Sequence, residues 1–248
     1  MVKNFEILIP EIFPKNKIIS GVTKRNLHLF PDKGFTISNA DTFSLQEIET
    51  HRKFLAEVLC VEYKHLKFQK QVHKTDIQIV TQNTPNGLET DGMITSEKGL
   101  ILNVSIADCL AILIYDPINE IIAAIHSGWR STKDNIAGKG IQLLLDKYNS
   151  NPWDLLVYLS PCASGRNYEV GYDVAKYFPE NTIQINKNKF LFDNQKQVFN
   201  QLIESGVNRE NIEASDICTI VNPEYHSFRR DKDKSGRMSA FIAMLMDS

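Results

Sequence analysis

Cys109 stands immediately before the apolar run Leu110–Tyr115, and His126 immediately after the apolar run Ile121–Ile125. Each run is too short for a helix that could bury itself, and Asp116, Pro117, Ile118 and Asn119 between them form a turn, so two core strands are predicted. Antiparallel pairing across that turn brings the thiol and the imidazole to one sheet edge. Gly128 and Arg130 follow directly. A thiolate meeting an imidazole there suits a metal site or a nucleophile with its base. His73, at or just past the end of a strand predicted over Leu66–Val72, is a third donor at a strand end. Two imidazoles and one thiolate leave the fourth tetrahedral position of Zn²⁺ open, the arrangement of a catalytic site. With one negative ligand such a site favours an anionic or hydroxide ligand. A metal-free Cys109–His126 pair fits the same spacing, as does a core cysteine near an unrelated histidine.

Arg229 and Arg230, with Arg25 and Arg130, are candidates for an anion pocket, because the guanidinium fork matches phosphate and carboxylate oxygens. A solvated charged loop is the alternative. Asp91 and Asp108 lie beside predicted strands near the same edge. A buried aspartate there can orient a ligating histidine, accept a substrate proton, or cap a turn.

The elements that must position these groups are short strands mixed with amphipathic helices. Strands are predicted over Phe5–Ile9, Ile18–Val22 and Asp76–Val80. Asp91–Thr95 and Leu100–Ile106 are predicted to form a hairpin turning at Glu97, Lys98 and Gly99. Leu155–Leu159, Asp216–Val221 and Arg237–Met246 complete the strands, and Asn222-Pro223 can start a short helical turn. Ser44 and Glu47 form a capping box for a helix over Leu45–Cys60, with Cys60 on its buried side. Further helices are predicted over Asp134–Tyr148 and from the cap Asp193 to about Glu204, ended by Gly206. This pattern predicts one α/β or α+β domain spanning residues 1–248, with a strand-built core flanked by helices.

The 248 residues are 42% hydrophobic, enough for a substantial core, and the net charge of −2 argues against an electrostatic nucleic-acid binder. The N-terminus lacks a long apolar segment, and no window approaches the ~20 apolar residues of a membrane span. Four cysteines without paired spacing then point to reduced thiols and a cytoplasmic protein.

Taken in order, Gln71-Val72-His73, Asp91-Gly92-Met93-Ile94-Thr95, Ala107-Asp108-Cys109, His126-Ser127-Gly128-Trp129-Arg130, Ser160-Pro161-Cys162, Tyr168-Glu169-Val170, Phe228-Arg229-Arg230 and Ser235-Gly236-Arg237-Met238 form a set. From about Gly21 to the C-terminus, the chain resembles the YfiH-like, laccase-like polyphenol oxidase family. Members of that family act as purine nucleoside phosphorylases with adenosine deaminase activity, and bacterial ones are also called peptidoglycan editing factors. The resemblance implies zinc on His73, Cys109 and His126, and a fold related to the catalytic domain of cytotoxic necrotizing factor. It implies purine nucleosides and phosphate as substrates, with Arg25, Asn39 and Arg229 at family positions near the site; read from the residues themselves, Asp108 is the candidate catalytic carboxylate and Arg230 a further candidate for binding phosphate. No nucleic-acid or membrane partner is expected, and the expected state is a monomer or weak dimer. The chain departs from the family at Ala111, where proline is usual, at Asn26-Leu27, where Gly-Gly is common, and at Asn167, often a cysteine.

Three other functions fit the residues less fully. A copper-dependent phenol oxidase needs several copper centres, more than six histidines can supply. A Cys109–His126 amide hydrolase acting on a cell-wall precursor is another, and a zinc-bound module that binds nucleotides without catalysis is the third.

Overall fold

The computed structural model of the protein describes residues 4–38 and 42–246. β1 (Ile7–Leu8) and β2 (Ile18–Thr23) pair antiparallel. α1 (Leu45–Val58) begins at the capping box, where Ser44 Oγ accepts from Glu47 N at 3.1 Å and Glu47 accepts from Ser44 N at 2.7 Å. Cys60 is exposed, not core: the helix has already ended, and Cys60 takes the left-handed φ of 56° that turns the chain away. β3 (Leu66–Phe68), β4 (Ile77–Ile79), β5 (Gly92–Thr95) and β6 (Ile101–Ile106) follow. β7 (Leu110–Asp116) and β8 (Ile121–Ser127) form the expected hairpin, with Ala111 opposite His126.

The helix predicted over Asp134–Tyr148 is present from Ile136, and a short helix that was not predicted precedes it. α2 (Trp129–Lys133) and α3 (Ile136–Tyr148) meet at Asn135, whose φ of 56° breaks one helix while its side chain caps the next. β9 (Leu156–Leu159), β10 (Glu169–Val170) and α4 (Tyr172–Ala175) lead into the hairpin of β11 (Thr182–Asn186) and β12 (Lys189–Phe192). The sequence reading has no strand in this region, although Ile183 and Ile185 alternate with polar residues in β11; the strand is short and largely exposed, its isoleucines included. α5 (Asn194–Glu204) is capped by Asp193 and terminated at Gly206, φ 93°, as expected. β13 (Ile212–Ala214) lies upstream of the strand predicted around Cys218, which forms only an isolated bridge with Cys162. Asn222-Pro223 starts a single turn closed by Tyr225 N donating to Asn222 O at 3.3 Å, the helix α6 (Phe228–Asp231) follows with Ser227 as its cap, and β14 (Met238–Met244) is the last strand.

One sheet has the order β1-β2-β14-β6-β3, a second β13-β9-β7-β8-β5-β4, and a small third β10-β12-β11. β5 and β6 therefore do not form a hairpin. β5 pairs with β4 and β8, β6 with β14 and β3, and the turn at Gly99 carries the chain from one sheet to the other. Both strands are buried along nearly all their length, which suits face-to-face packing of two sheets as well as edge-to-edge pairing. Val104, Ile106, Met238 and Ile242 of the first sheet pack against Met93, Leu113, Tyr115 and Ile122 of the second. Outside the second sheet, Ile112, Ile114 and Ile125 pack on Ile141 and Leu144 of α3 and Val198 and Leu202 of α5. Outside the first, Phe68, Ile101 and Phe241 pack on Leu55 of α1 and on Phe35. The result is a four-layer helix–sheet–sheet–helix stack.

His226, fully buried, fastens two loops at one end of this stack. Its Nε2 donates to Phe35 O at 2.8 Å, and its Nδ1 accepts from Gly236 N at 3.1 Å. Only the neutral ring can do both. Burial pushes its pKa down to about 3, against the Phe35 bond that favours the charged ring. The unfolded chain therefore takes up this proton first, near pH 6.5. The stability held by neutral His226 is full above that pH and is lost as pH falls toward 3, at a limiting slope of about 1.4 kcal/mol per pH unit. Urea unfolding of wild type and His226→Gln between about pH 7.5 and about pH 5 checks this: the variant is less stable at the upper pH and shows a flatter dependence below it.

Candidate metal centre

The hairpin brings Cys109 and His126 together as the spacing predicts, and the loop between β3 and β4 adds His73. The ligand atoms of the three lie within 4.8 Å of one another, the only such group of three among the described residues. The two imidazole rings meet edge to face, centroids 4.8 Å apart. His126 is buried, Cys109 half-buried and His73 exposed, so the cluster is anchored at one side and open at the other.

Asp91, fully buried at the start of β5, holds two of these ligands in place. Its Oδ1 accepts from His126 Nδ1 at 2.9 Å and from His73 N at 3.0 Å, while Oδ2 accepts from Lys74 N at 2.8 Å and Val72 N at 3.2 Å. Burial opposes charging this carboxyl, but the bonds from His126 and the backbone hold it below the usual carboxylate range. The carboxylate fixes His126 with its proton on Nδ1, leaving Nε2 to face the cluster. His73 sits at a left-handed φ of 58°, a conformation that the backbone bond to Asp91 maintains. Burial also opposes the Cys109 thiolate, yet the charge and hydrogen bond of His126 and the bond from His73 bring the thiol down to about 6. His126 is correspondingly raised to about 9: burial opposes its charge, and Cys109 and Asp91 overcome that.

Gly128 completes the cradle. A Cβ at this position would lie 3.1 Å from Cys109 Sγ and 3.1 Å from His73 Cδ2, so glycine is what lets the α2 entry approach the cluster. The donor set thus fits a tetrahedral metal ion: two nitrogens, one thiolate, an oriented histidine and an open side.

The other expected site residues are divided. Asp108, at φ 86°, accepts from Thr219 Oγ1 at 2.7 Å and from Arg229 N at 2.6 Å. It ties the start of α6 to the segment beside Cys109, the work of a turn-capping aspartate. Arg229 lies over the Tyr168 ring at 5.2 Å. Arg230 points inward, giving its guanidinium to the carbonyls of Thr219, Ile220, Asn222 and Tyr225 and to Asp231. Those bonds make Arg230 a fastener of its loop. Arg25 lies in a separate depression beside Lys24 and Glu224, with Asp231 at 3.9 Å. Arg130 stacks on Trp129 in a cleft on the other side of His73. Asn39 lies outside the described residues.

Two departures from the expected family pattern have local explanations. Asn26 takes φ 50°, the left-handed shape a glycine supplies, and its side chain bonds Glu6 N and Lys24 O. Ala111 keeps an N–H that donates to Ser160 Oγ at 2.9 Å, a bond proline could not make.

A cleft of about 420 Å³ opens over the cluster, lined also by Gln69, Ser105, Phe228 and Arg237. Gln71 lines it too, its carboxamide pairing with Ser105 N at 2.7 Å and Ser105 O at 2.9 Å. Spacing alone singles out none of these, since they come from segments far apart in the chain.

The family described as multi-copper polyphenol oxidoreductase laccase matches residues 33–245. Purine nucleoside phosphorylase YlmD of Bacillus subtilis is 29% identical over 80% of this chain and 77% of its own length. A purine nucleoside phosphorylase of Clostridium acetobutylicum is 34% identical over 72% of this chain and 77% of its own, and one of Aquifex aeolicus 32% identical over 78% and 87%. In fold, the crystal structure of hypothetical protein YfiH from Bacillus licheniformis superposes with a TM-score of 0.90 at 23% identity, covering 99% of this chain and 98% of that one.

Asp91→Asn should weaken metal binding about 10- to 100-fold by loosening both histidines, as read by competition with a chromophoric chelator. Gly128→Ala should weaken it as well, by pushing on Cys109 and His73. Unchanged affinity in both would show that the cluster does not depend on this cradle.

Proposed function

The chain belongs to the multi-copper polyphenol oxidoreductase laccase family, and from that membership and its His–Cys–His cluster we propose that it is a zinc-dependent purine nucleoside phosphorylase that also deaminates adenosine. Adenosine, inosine, guanosine and methylthioadenosine are its proposed nucleosides, split with phosphate into free base and a ribose 1-phosphate. The observation that carries this reading is the one three-donor cluster among the described residues, oriented by Asp91 and open to a cleft. Relatives bearing the name purine nucleoside phosphorylase support it.

His73, Cys109 and His126 would hold the zinc, which supplies Lewis acidity at the floor of the cleft. The chain's own residues do the rest. Asp91 keeps His126 in one tautomer, so the cluster needs no rearrangement when charge develops nearby. Phe228 offers a flat apolar surface beside the ligands, suited to a purine ring. Arg237, which lines the cleft while its Nη1 donates to Ser235 O and Gly236 O, and Arg229 over Tyr168 are the proposed holders of phosphate. Asp108 acts by fixing the start of α6, and so the position of Arg229.

The family description speaks of several coppers, yet the described residues contain a single His/Cys cluster. His28 bonds Asn4 O, His51 bonds Thr36, and His226 bonds Phe35 and Gly236. Those three rings are committed elsewhere, and His65, the remaining histidine, belongs to no group of three ligands among the described residues, which leaves no second centre there for a multi-centre copper relay. The low thiol pKa of Cys109 keeps one other reading in play, a metal-free Cys109–His126 nucleophile.

Zinc-loaded protein given inosine should release hypoxanthine only when phosphate is present, and adenosine should yield adenine with phosphate and inosine without it. Cys109→Ser should lose both the metal and at least about 100-fold of the activity. A variant that keeps its metal while losing activity would support the nucleophile instead. Absence of product from every nucleoside and metal tried would end the phosphorylase reading.

A further inference from the structure

Gln69 and Gln71 flank Lys70, which forms a bridge to Glu89, so strand alternation sends both glutamine side chains to the same side. Their fates differ. Gln71 spends its carboxamide on both backbone groups of Ser105. Gln69 is only 7% exposed, yet neither its Oε1 nor its Nε2 has a hydrogen-bond partner. A buried amide with both ends unpaired costs folding free energy and calls for an explanation. Other buried amides nearby are engaged: Asn103 bonds Lys67 O, Ile101 O and Ser239 Oγ. Gln69 lines the cleft that holds His73, Cys109 and His126, with both amide atoms shielded from solvent, so a base in the cleft reaches them through rotation of the Gln69 side chain.

We propose that Gln69 reads the six-position edge of the purine base, and that its carboxamide lets one cleft accept both 6-amino and 6-oxo purines. The proposal rests on the purine nucleoside reading above. Adenine presents an amino donor beside a ring-nitrogen acceptor; hypoxanthine and guanine present a carbonyl acceptor beside an N1–H donor. A primary amide carries one donor group and one acceptor atom on a common plane. It matches adenine in one orientation and the oxopurines after a half-turn about its terminal torsion, which is broad and nearly two-fold. A carboxylate or an ammonium group in its place could answer only half of either edge. Pairing with a base also supplies the partners that the protein interior does not, so the amide's folding cost is returned as binding selectivity.

Purine riboside, which lacks any substituent at C6, isolates this contact. Phosphorolysis of inosine and of purine riboside is measured with zinc-loaded wild type and with Gln69→Met, which keeps the chain length and removes the amide. Wild type should favour inosine in kcat/KM by about 10-fold or more. In Gln69→Met that preference should collapse, with inosine falling by the same factor and purine riboside changing less than about two-fold. The variant should also melt at or above the wild-type temperature, because it removes unpaired buried atoms. Gln69→Leu repeats both readings with a different shape. A preference for inosine that survives in either folded variant overturns the proposal, as does loss of the fold in both, which would make Gln69 structural. Wild type that splits no nucleoside overturns the function reading and this proposal together, whereas an active wild type with an unchanged ratio overturns the role of Gln69 alone.

Discussion

The Asp91 carboxylate is the point on which the site depends. It accepts from His126 Nδ1 and from three consecutive backbone N–H groups, Val72, His73 and Lys74. One side chain at the start of β5 thereby sets the tautomer of one proposed ligand and the backbone of another. A charged carboxylate in a dry setting is costly unless its lone pairs are filled, and here four donors fill them. Removing it would leave the left-handed turn at His73 without support and His126 free to rotate.

The sandwich explains why the centre forms at this end of the molecule. His73 lies on the crossing from β3 in the first sheet to β4 in the second, and Cys109 on the crossing from β6 to β7. His126 ends β8, directly before the Gly128 turn into α2. Two proposed ligands are thus supplied by the segments that stitch the sheets together. Both crossings contain a residue forced to positive φ, His73 itself and Asp108 beside Cys109, and in each case a hydrogen bond to the neighbouring structure holds it there. The face-to-face packing behind them, with Ile106, Met93 and Met238 buried between the sheets, gives those turns a rigid footing.

Charge near the cleft follows the same division between scaffold and surface. Arg230 and Asp108 have the residue types of a binding site, yet both are consumed in building α6 and its loop. Arg229, between them in space, has its backbone fixed by Asp108 while its guanidinium lies over Tyr168. Gln71 and Gln69 repeat the contrast in neutral form: one amide completes a sheet ladder, and the other lies in the cleft wall with its hydrogen-bonding capacity unused.

The sequence by itself determined the local parts: the β7–β8 hairpin with Cys109 and His126 at one edge, the capping box of α1, and the Asp193-to-Gly206 limits of α5. These are contacts between near neighbours, where residue period and turn chemistry suffice. His73 was legible as a third donor at a predicted strand end, and the ordered motifs marked it as a ligand by family resemblance. Tertiary structure decided the rest. Alternation along β5 and β6 marks two buried strands but does not say whether they share a sheet, so the predicted hairpin opened into two layers. The spending of Arg230 on backbone carbonyls could not be read, because carbonyls look alike at every position in a sequence. The same holds for Asp91, whose four donors converge only after β5 is laid between β4 and β8, and for Gly128, whose missing Cβ matters because two ligands from distant segments press against it.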